Sequence, residues 1–139
     1  MGKYTQIKER IELFEMTDQF DEFRIPFSKK QFRNVMKNPN HPTALVCAND
    51  ITAFEVYNEL SGLGLRIPED VSVVGFDNLL KCDWVTPALT TVNIPKAAMG
   101  ERAVDILLNR IEQPESACEQ ILIGTTIKTR DSVLSLKEN

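Results

Sequence analysis

Residues 67–77 read IPEDVSVVGFD, and this stretch is the clearest guide to the architecture. A turn that holds Glu69 and Asp70 leads into a run of small and β-branched apolar residues, which ends on Asp77. The run shows no polar alternation, which is typical of a strand that helices cover on both faces. The segment TALVCA at 43–48 has the same pattern and ends at Asn49 and Asp50. The two runs predict neighbouring strands of a parallel sheet.

Helical patterns lie between and around these strands. Apolar residues at helical spacing predict helices over 4–16, from a Ser28 cap to Met36, over 51–64, and from Pro95 to 112. Residues 20–27, with Pro26, predict a short strand or an extended crossing segment. Residues 78–88 predict a loop or short helix, 89–94 a strand, and 121–133 a longer strand. The fold class is therefore α/β, a parallel sheet flanked by helices on both faces.

Composition narrows the classes of protein. The chain has 139 residues, of which 42% are hydrophobic, so one compact core is expected. It contains no apolar run of roughly 20 residues, and its charged, amphipathic start differs from a secretion signal, so we expect a cytoplasmic protein without a membrane partner. The formal net charge of −4 provides no excess of Lys and Arg. DNA binding by this chain alone is therefore not expected.

No metal or cofactor is predicted. The three cysteines, Cys47, Cys82 and Cys118, are widely spaced, and His41 is the single histidine, so no metal-ligand spacing is present. Cys47 lies in an apolar run and is interpreted as a buried structural thiol. The glycines at 62 and 64 follow a helix and lack the spacing of a dinucleotide-binding loop.

Polar side chains follow the two predicted strands. In parallel sheets, ligands bind beyond the carboxyl ends of the strands, where Asn49 and Asp77 would lie. An Asn amide and an Asp carboxylate together match the hydroxyl groups of a polyol or sugar. The alternative is that Asn49 or Asp50 only caps the following helix. The cap is the favoured interpretation of Asp50, while ligand contact and turn formation both remain open for Asp77. No catalytic residue is predicted, although an acid–base pair of Asp50 and Asp77 remains an alternative.

Three blocks carry a family resemblance: HPTALVCAND at 41–50, GLRIPEDVSVVGFDN at 64–78, and TPALTTVNIPKAAMGERAVDILLNRI at 86–111. In this order and spacing they resemble the effector-binding domain of LacI/GalR-family bacterial transcription regulators, which have the fold of periplasmic sugar-binding proteins. The resemblance extends from about residue 8 to residue 133.

The resemblance implies a division of the chain. Residues 1–92 would form the core of the C-terminal effector subdomain, 93–113 a segment that packs in the N-terminal subdomain, 114–134 the return to the C-terminal subdomain, and 135–139 a tail. The DNA-reading headpiece, either helix-turn-helix or winged helix, and most of the N-terminal subdomain would lie outside the chain. We therefore expect weak or no effector binding by the chain alone, and self-association through the uncovered helix at 95–112.

The resemblance also implies functional residues. Arg10, Phe23, Asn49 and Asp77 match effector-contacting positions. Leu13 departs from the Gly that the family commonly has nearby, which weakens the match at Arg10. Ile25 and Phe27 are substitutes for Phe23, for which core packing also remains open. Phe54, Leu80 and Trp84 match the dimer surface, with packing of Trp84 on the sheet edge as the alternative.

The leading hypothesis is a non-enzymatic, effector-sensing part of a dimeric repressor. A sugar or related metabolite would shift a domain closure, and operator DNA would be bound only through the headpiece. One rival is a periplasmic sugar-binding protein of a transport system, and another is an enzyme on a flavodoxin-like sheet.

Overall fold

The computed structural model describes residues 28–135. The elements follow in the order helix α1 (Lys29–Met36), strand β1 (Ala44–Val46), helix α2 (Asp50–Gly62), strand β2 (Ser72–Asp77), a 3-10 helix (Leu80–Asp83), strand β3 (Thr90–Asn93), helix α3 (Lys96–Glu112) and strand β4 (Thr126–Lys128). The predicted helix at 4–16 and crossing segment at 20–27 lie outside the described residues. Within residues 28–135, no helix is long and apolar enough to cross a membrane.

The four strands form one sheet in the order β1-β2-β3-β4. Strands β1, β2 and β3 run parallel, as predicted, and β4 pairs antiparallel with β3. The α/β class is confirmed, and an antiparallel strand at the edge of such a sheet is common. The long strand predicted over 121–133 is wrong, because only 126–128 form a strand.

The segment after β4 explains why that strand is short. It crosses the starts of β2 and β3 and bonds to them mainly through side chains. The Ser132 hydroxyl donates to the Val73 carbonyl at 2.6 Å and accepts from the Thr90 amide at 2.8 Å. The Arg130 amide donates to the Thr90 hydroxyl at 2.9 Å. These bonds satisfy backbone groups of β2 and β3 without a regular ladder.

The core lies on one face of the sheet, under α1 and α2. The buried apolar residues are Phe32, Met36, Cys47, Ala53, Phe54, Val56, Leu60, Val71, Val73, Cys82 and Leu89. Burial of this apolar surface is the main stabilising contribution in a domain of this size.

Helix α1 begins where the sequence predicts. The Ser28 hydroxyl accepts from the Gln31 amide at 3.4 Å and caps the helix. Arg33 forms an ion pair with Glu59 of α2, which is 4% exposed. Hydrogen bonding and charge from Arg33 hold the pKa of the Glu59 carboxyl below its usual range. This pair fixes α1 alongside α2.

The opposite face of the sheet carries apolar side chains in register. Phe76 pairs with Val92, and Val92 pairs with Ile127, while Val46 pairs with Val74 in the next row. Val46 is 84% exposed and Ile127 is 69% exposed. The sequence predicts helices on both faces of the sheet. In the described residues, α1 and α2 cover the core face, and the helix predicted at 4–16 lies outside the described residues.

Helix α3 has no buried residue. Its exposed large apolar residues are Met99, Val104, Leu107, Leu108 and Ile111. Pro95 is the N-cap, one position before the first helical residue, whereas the sequence predicted it as part of the first turn. The 17 residues of α3 are therefore held by backbone bonds and by the chain on either side, with apolar surface facing solvent.

The turn before β2 is closed by one ion pair. The Arg66 amide and Nε donate to Asp70 Oδ2 at 2.8 and 2.9 Å, and Nη2 donates to Oδ1 at 3.0 Å. The hydrogen bonds from Arg66 lower the pKa of Asp70 to about 2. This bidentate geometry is the strong form of an Arg–carboxylate contact.

We predict that Asp70 makes the protein less stable in acid. Its pKa is depressed from 3.8 to about 2 on folding, so its contribution is present above pH 3.8 and is lost as the pH falls toward 2. The melting temperature of Asp70→Asn should therefore decline less between pH 4 and pH 2 than that of the wild type. Glu69→Gln is the control, and equal slopes for Asp70→Asn and the wild type would contradict the prediction.

Candidate functional site

The carboxyl ends of the three parallel strands carry polar residues along one rim. Asp77 ends β2 and is paired in register with Asn93, which ends β3. Asn49 and Asp77 each lie three residues beyond the paired residues Val46 and Val74. The structure therefore brings two of the predicted effector residues, Asn49 and Asp77, to the same edge of the sheet. The other two, Arg10 and Phe23, and the substitutes for Phe23, lie outside the described residues.

Asn49 is the N-cap of α2. Its Oδ1 accepts from the Thr52 amide at 2.8 Å, which satisfies a free donor of the first helical turn. The interpretation of Asp50 as the cap is therefore wrong, because Asp50 is the first residue inside the helix. Asn49 is half-buried, and its Nδ2 remains a donor group at the rim.

The Asp50 carboxylate is fully buried and accepts three hydrogen bonds. Thr91 Oγ1 of β3 donates to Oδ1 at 2.6 Å. The Leu79 amide and Cys82 Sγ donate to Oδ2 at 2.7 and 3.1 Å. One side chain thus connects α2, β3 and the loop after β2. Because Asp50 is enclosed in this way, the alternative of an acid–base pair with Asp77 has no support in the geometry.

Strand β2 leaves room for this carboxylate at Gly75. A Cβ at residue 75 would lie 2.2 Å from Asp50 Oδ1 and 3.0 Å from Leu89 Cδ2. Real Cβ atoms do not approach other atoms as closely as the first of these distances, so any side chain at 75 would displace Asp50. The glycine of the GFD motif is therefore explained by the carboxylate beneath it.

The strand ends in an unusual turn. Asp77 has φ +114° and Asn78 has φ +53°, both in the left-handed region that non-glycine residues rarely adopt. The Asp77 carbonyl accepts a hydrogen bond from Lys96 Nζ. Among the residues that the structure describes, no hydrogen bond or ion pair engages the Asp77 carboxylate. A half-buried carboxylate on a strained turn is typical of a functional position.

Behind Asp77, the Asn78 side chain is held on both sides. Its Nδ2 donates to Asn93 Oδ1 at 2.9 Å, and its Oδ1 accepts from Arg130 Nη2 at 2.8 Å. Arg130 also donates to Asp83 at 2.6 Å and to the Leu89 carbonyl at 2.7 Å. Sequence reasoning missed this network, although an Asn directly after the strand-ending Asp was a signal for a left-handed turn.

Within residues 28–135, the rim side chains Asn49, Asp77 and Asn93 are hydrogen-bonding groups. Burial raises the pKa of the Cys47 and Cys82 thiols to about 12, so neither is a thiolate at neutral pH. The prediction from the sequence that Cys47 is a buried structural thiol is consistent with its burial and with its raised pKa. In the described part of the chain, no group of His, Cys, Asp or Glu is arranged to hold a metal ion.

The predicted dimer residues lie near the 3-10 helix. Leu80 and Trp84 are each 77% exposed, so the alternative that Trp84 packs on the sheet edge is wrong. Phe54 is 8% exposed and lies beneath Lys81, whose Nζ is 4.6 Å from the ring centroid. We call the exposed side chains of Leu80 and Trp84, together with Lys81, the aromatic patch. Phe54 is buried beneath Lys81 and adds no exposed surface to it.

Residues 4–133 match the model of the periplasmic binding protein-like domain. The chain is 35% identical over 115 residues to the HTH-type transcriptional repressor PurR of Aliivibrio salmonicida, which covers 83% of this chain and 34% of the relative. It is 41% identical over 98 residues to the probable HTH-type transcriptional repressor ExuR of Bacillus subtilis, covering 70% of this chain and 29% of that protein. The chain belongs to the periplasmic binding protein-like family.

A solved structure agrees with this membership. The chain superposes with a TM-score of 0.72 and 32% identity on a LacI family transcriptional regulator from Enterococcus faecalis with bound ribose, covering 80% of this chain and 41% of that one. The chain thus spans about a third of the length of the curated relatives above. These relatives are named as repressors, which favours the regulator hypothesis over the transport hypothesis.

We predict that Gly75→Ala destabilises the fold. The added methyl group would overlap Asp50 Oδ1, and overpacking of this kind costs about 1–3 kcal/mol. The control is Gly62→Ala at the end of α2, where a Cβ meets nothing within 4 Å and helix propensity rises by up to about 1 kcal/mol. Urea unfolding measures both. Equal unfolding free energies for Gly75→Ala and the wild type would contradict the described position of Asp50.

Proposed function

We propose that this chain is the larger part of the effector-sensing C-terminal subdomain of a transcriptional repressor, and that a sugar binds against its rim. The observation that carries the proposal is the Asp77 carboxylate, which is half-buried at a strand end on the same edge of the sheet as Asn49 and makes no hydrogen bond or ion pair within the described residues. Support also comes from the family membership and from the ribose bound in the Enterococcus faecalis regulator. Sensing of this kind needs no catalytic residue, and as part of a transcription regulator it would take place in the cytoplasm.

The rim suits a polyhydroxylated ligand. A carboxylate accepts from two adjacent hydroxyls, and such charge-assisted bonds are stronger than neutral ones. Asn49 Nδ2 supplies a donor on the neighbouring strand, while its oxygen is engaged by the Thr52 amide. Arg10 and Phe23 are proposed to complete this wall, with a guanidinium donor and an aromatic face for the sugar ring.

The exposure of α3 fits the proposed division of the chain. Residues 1–92 and 114–134 would form the C-terminal subdomain, 93–113 would pack in an N-terminal subdomain outside this chain, and 135–139 would be a tail. A helix with Met99, Leu107 and Ile111 exposed is expected where a partner surface covers it. The sugar would bind between the two subdomains and favour one closure state, and a headpiece would transmit that state to operator DNA.

The aromatic patch is proposed as the homodimer surface. Aromatic residues such as Trp are enriched in interface cores. Leu80 begins the 3-10 helix and Trp84 is its C-cap, and both side chains are 77% exposed. A two-fold dimer would place this patch against the same patch of the partner.

We predict that Asp77 determines sugar affinity in the natural full-length protein. Asp77→Ala should weaken ribose binding about 10–100-fold, because a hydrogen bond to a charged group contributes about 1.5–3 kcal/mol. Isothermal titration with ribose, and then with other sugars, measures the affinity. The 139-residue chain alone should bind more weakly than millimolar, since one wall of the cleft would be missing.

The control for this experiment is Glu115→Gln, which removes an exposed carboxylate far along the chain from the rim. Its affinity should equal that of the wild type. Wild-type protein that binds no sugar, or an Asp77→Ala variant with unchanged affinity, would refute the proposed effector site.

We predict that the aromatic patch and α3 are separate self-association surfaces. In the full-length protein, Trp84→Ala should raise the dimer dissociation constant by at least about 30-fold, because interface Trp residues contribute 2 kcal/mol or more. In the 139-residue chain, Leu107→Lys should also reduce association, because α3 is uncovered there. Sedimentation velocity over a dilution series measures both.

Leu122→Ala is the control, since Leu122 is 88% exposed and lies outside both surfaces. A 139-residue chain that is strictly monomeric would contradict the α3 prediction. Unchanged dimerisation of Trp84→Ala would contradict the patch.

A further inference from the structure

Asp50 is not an effector-contacting position, because it is fully buried behind the rim. Its contacts nevertheless converge on the turn that carries Asp77. The Leu79 amide, which donates to Asp50 Oδ2 at 2.7 Å, follows directly after the two residues with positive φ. Cys82 Sγ donates to the same oxygen at 3.1 Å, from the far end of the same loop.

The other carboxylate oxygen fixes the neighbouring strand. Thr91 Oγ1 donates to Oδ1 at 2.6 Å, and it lies 3.4 Å from the Asn78 amide, from which it accepts. Thr91 pairs in register with Gly75, so the carboxylate reaches it across the glycine. Asp50 therefore holds the turn from below, from Asn78 to Cys82.

The turn needs such a constraint. Left-handed conformations at non-glycine residues are unfavourable and persist only where surrounding bonds fix them. Asp77 and Asn78 are two such residues in succession. Without an acceptor beneath Leu79, the loop could relax to ordinary φ values, and the Asp77 side chain would turn away from the rim.

We propose that Asp50 is a positioning residue that sets the Asp77–Asn78 turn and thereby aims the Asp77 carboxylate at the effector. The second half of this statement rests on the proposed function. Asp50 acts through the Leu79 amide and Thr91, and it makes no contact with the ligand.

The experiment compares Asp50→Ala with Leu60→Ala, which truncates another fully buried side chain of α2 away from the turn. The readout in the 139-residue chain is the ratio of two amide hydrogen-exchange rates, that of Leu79 and that of Val73, whose amide donates to the Ser132 carbonyl at 2.9 Å. Global destabilisation accelerates only the amides that exchange by global unfolding, so it cannot by itself raise this ratio. We expect the ratio to rise at least tenfold in Asp50→Ala and not to rise in Leu60→Ala.

Asp50→Asn keeps one acceptor oxygen and decides the test if Asp50→Ala does not fold. We expect the exchange ratio to rise about threefold in Asp50→Asn. In the full-length protein, ribose affinity should fall at least tenfold in Asp50→Ala and by a smaller factor in Asp50→Asn. An unchanged ratio in Asp50→Asn, or an equal rise in Leu60→Ala, would overturn the proposal. Wild-type protein that binds no sugar would refute the proposed function, while the exchange ratio would still decide whether Asp50 sets the turn.

Discussion

The buried carboxylate of Asp50 is the constraint on which the rest of this structure depends. A carboxylate out of contact with water is tolerated only when donors surround it, and here an amide, a hydroxyl and a thiol do so. The hydroxyl comes from β3, and the amide and the thiol come from the loop after β2, so α2, β3 and this loop must all be correctly placed at once. Loss of one partner would leave buried polar groups unsatisfied, which makes the arrangement cooperative.

That constraint accounts for features that look unrelated along the chain. Gly75 is small because Asp50 Oδ1 occupies the space beneath it, and Thr91 is buried because its hydroxyl binds the same oxygen. The raised pKa of Cys82 follows from burial and from its bond to Asp50, so this thiol serves as a donor. Residues from three segments thus have a common explanation in the Asp50 side chain.

Much of the fold could be predicted from the sequence, because its signals are local. Non-alternating apolar runs predicted β1 and β2, Ser28 predicted the start of α1, and the strand-end rule placed Asn49 and Asp77 at one edge. The role of Asp50 could not be predicted, since Asn and Asp both cap helices and only tertiary contacts distinguish them. The Asn78–Arg130 bond joins residues 52 positions apart, for which periodicity has no signal. The excess length predicted for the last strand arose because 130–132 contacts the sheet through side-chain bonds.

The contrast between the rim and α3 bears on how such a domain could report a ligand. Asn49 and Asp77 are attached to strands whose core side is closely packed, whereas α3 buries no residue. A rigid wall does not reorganise when a ligand binds. The free energy of binding is then available to favour one arrangement of the proposed N-terminal subdomain relative to this wall. A ligand shifts a two-state equilibrium only by its difference in affinity for the two states. Under the proposed function, the chain would contribute polar groups that are fixed before binding and, in α3, a helix that buries no residue of its own and so has no packing to lose in a domain movement.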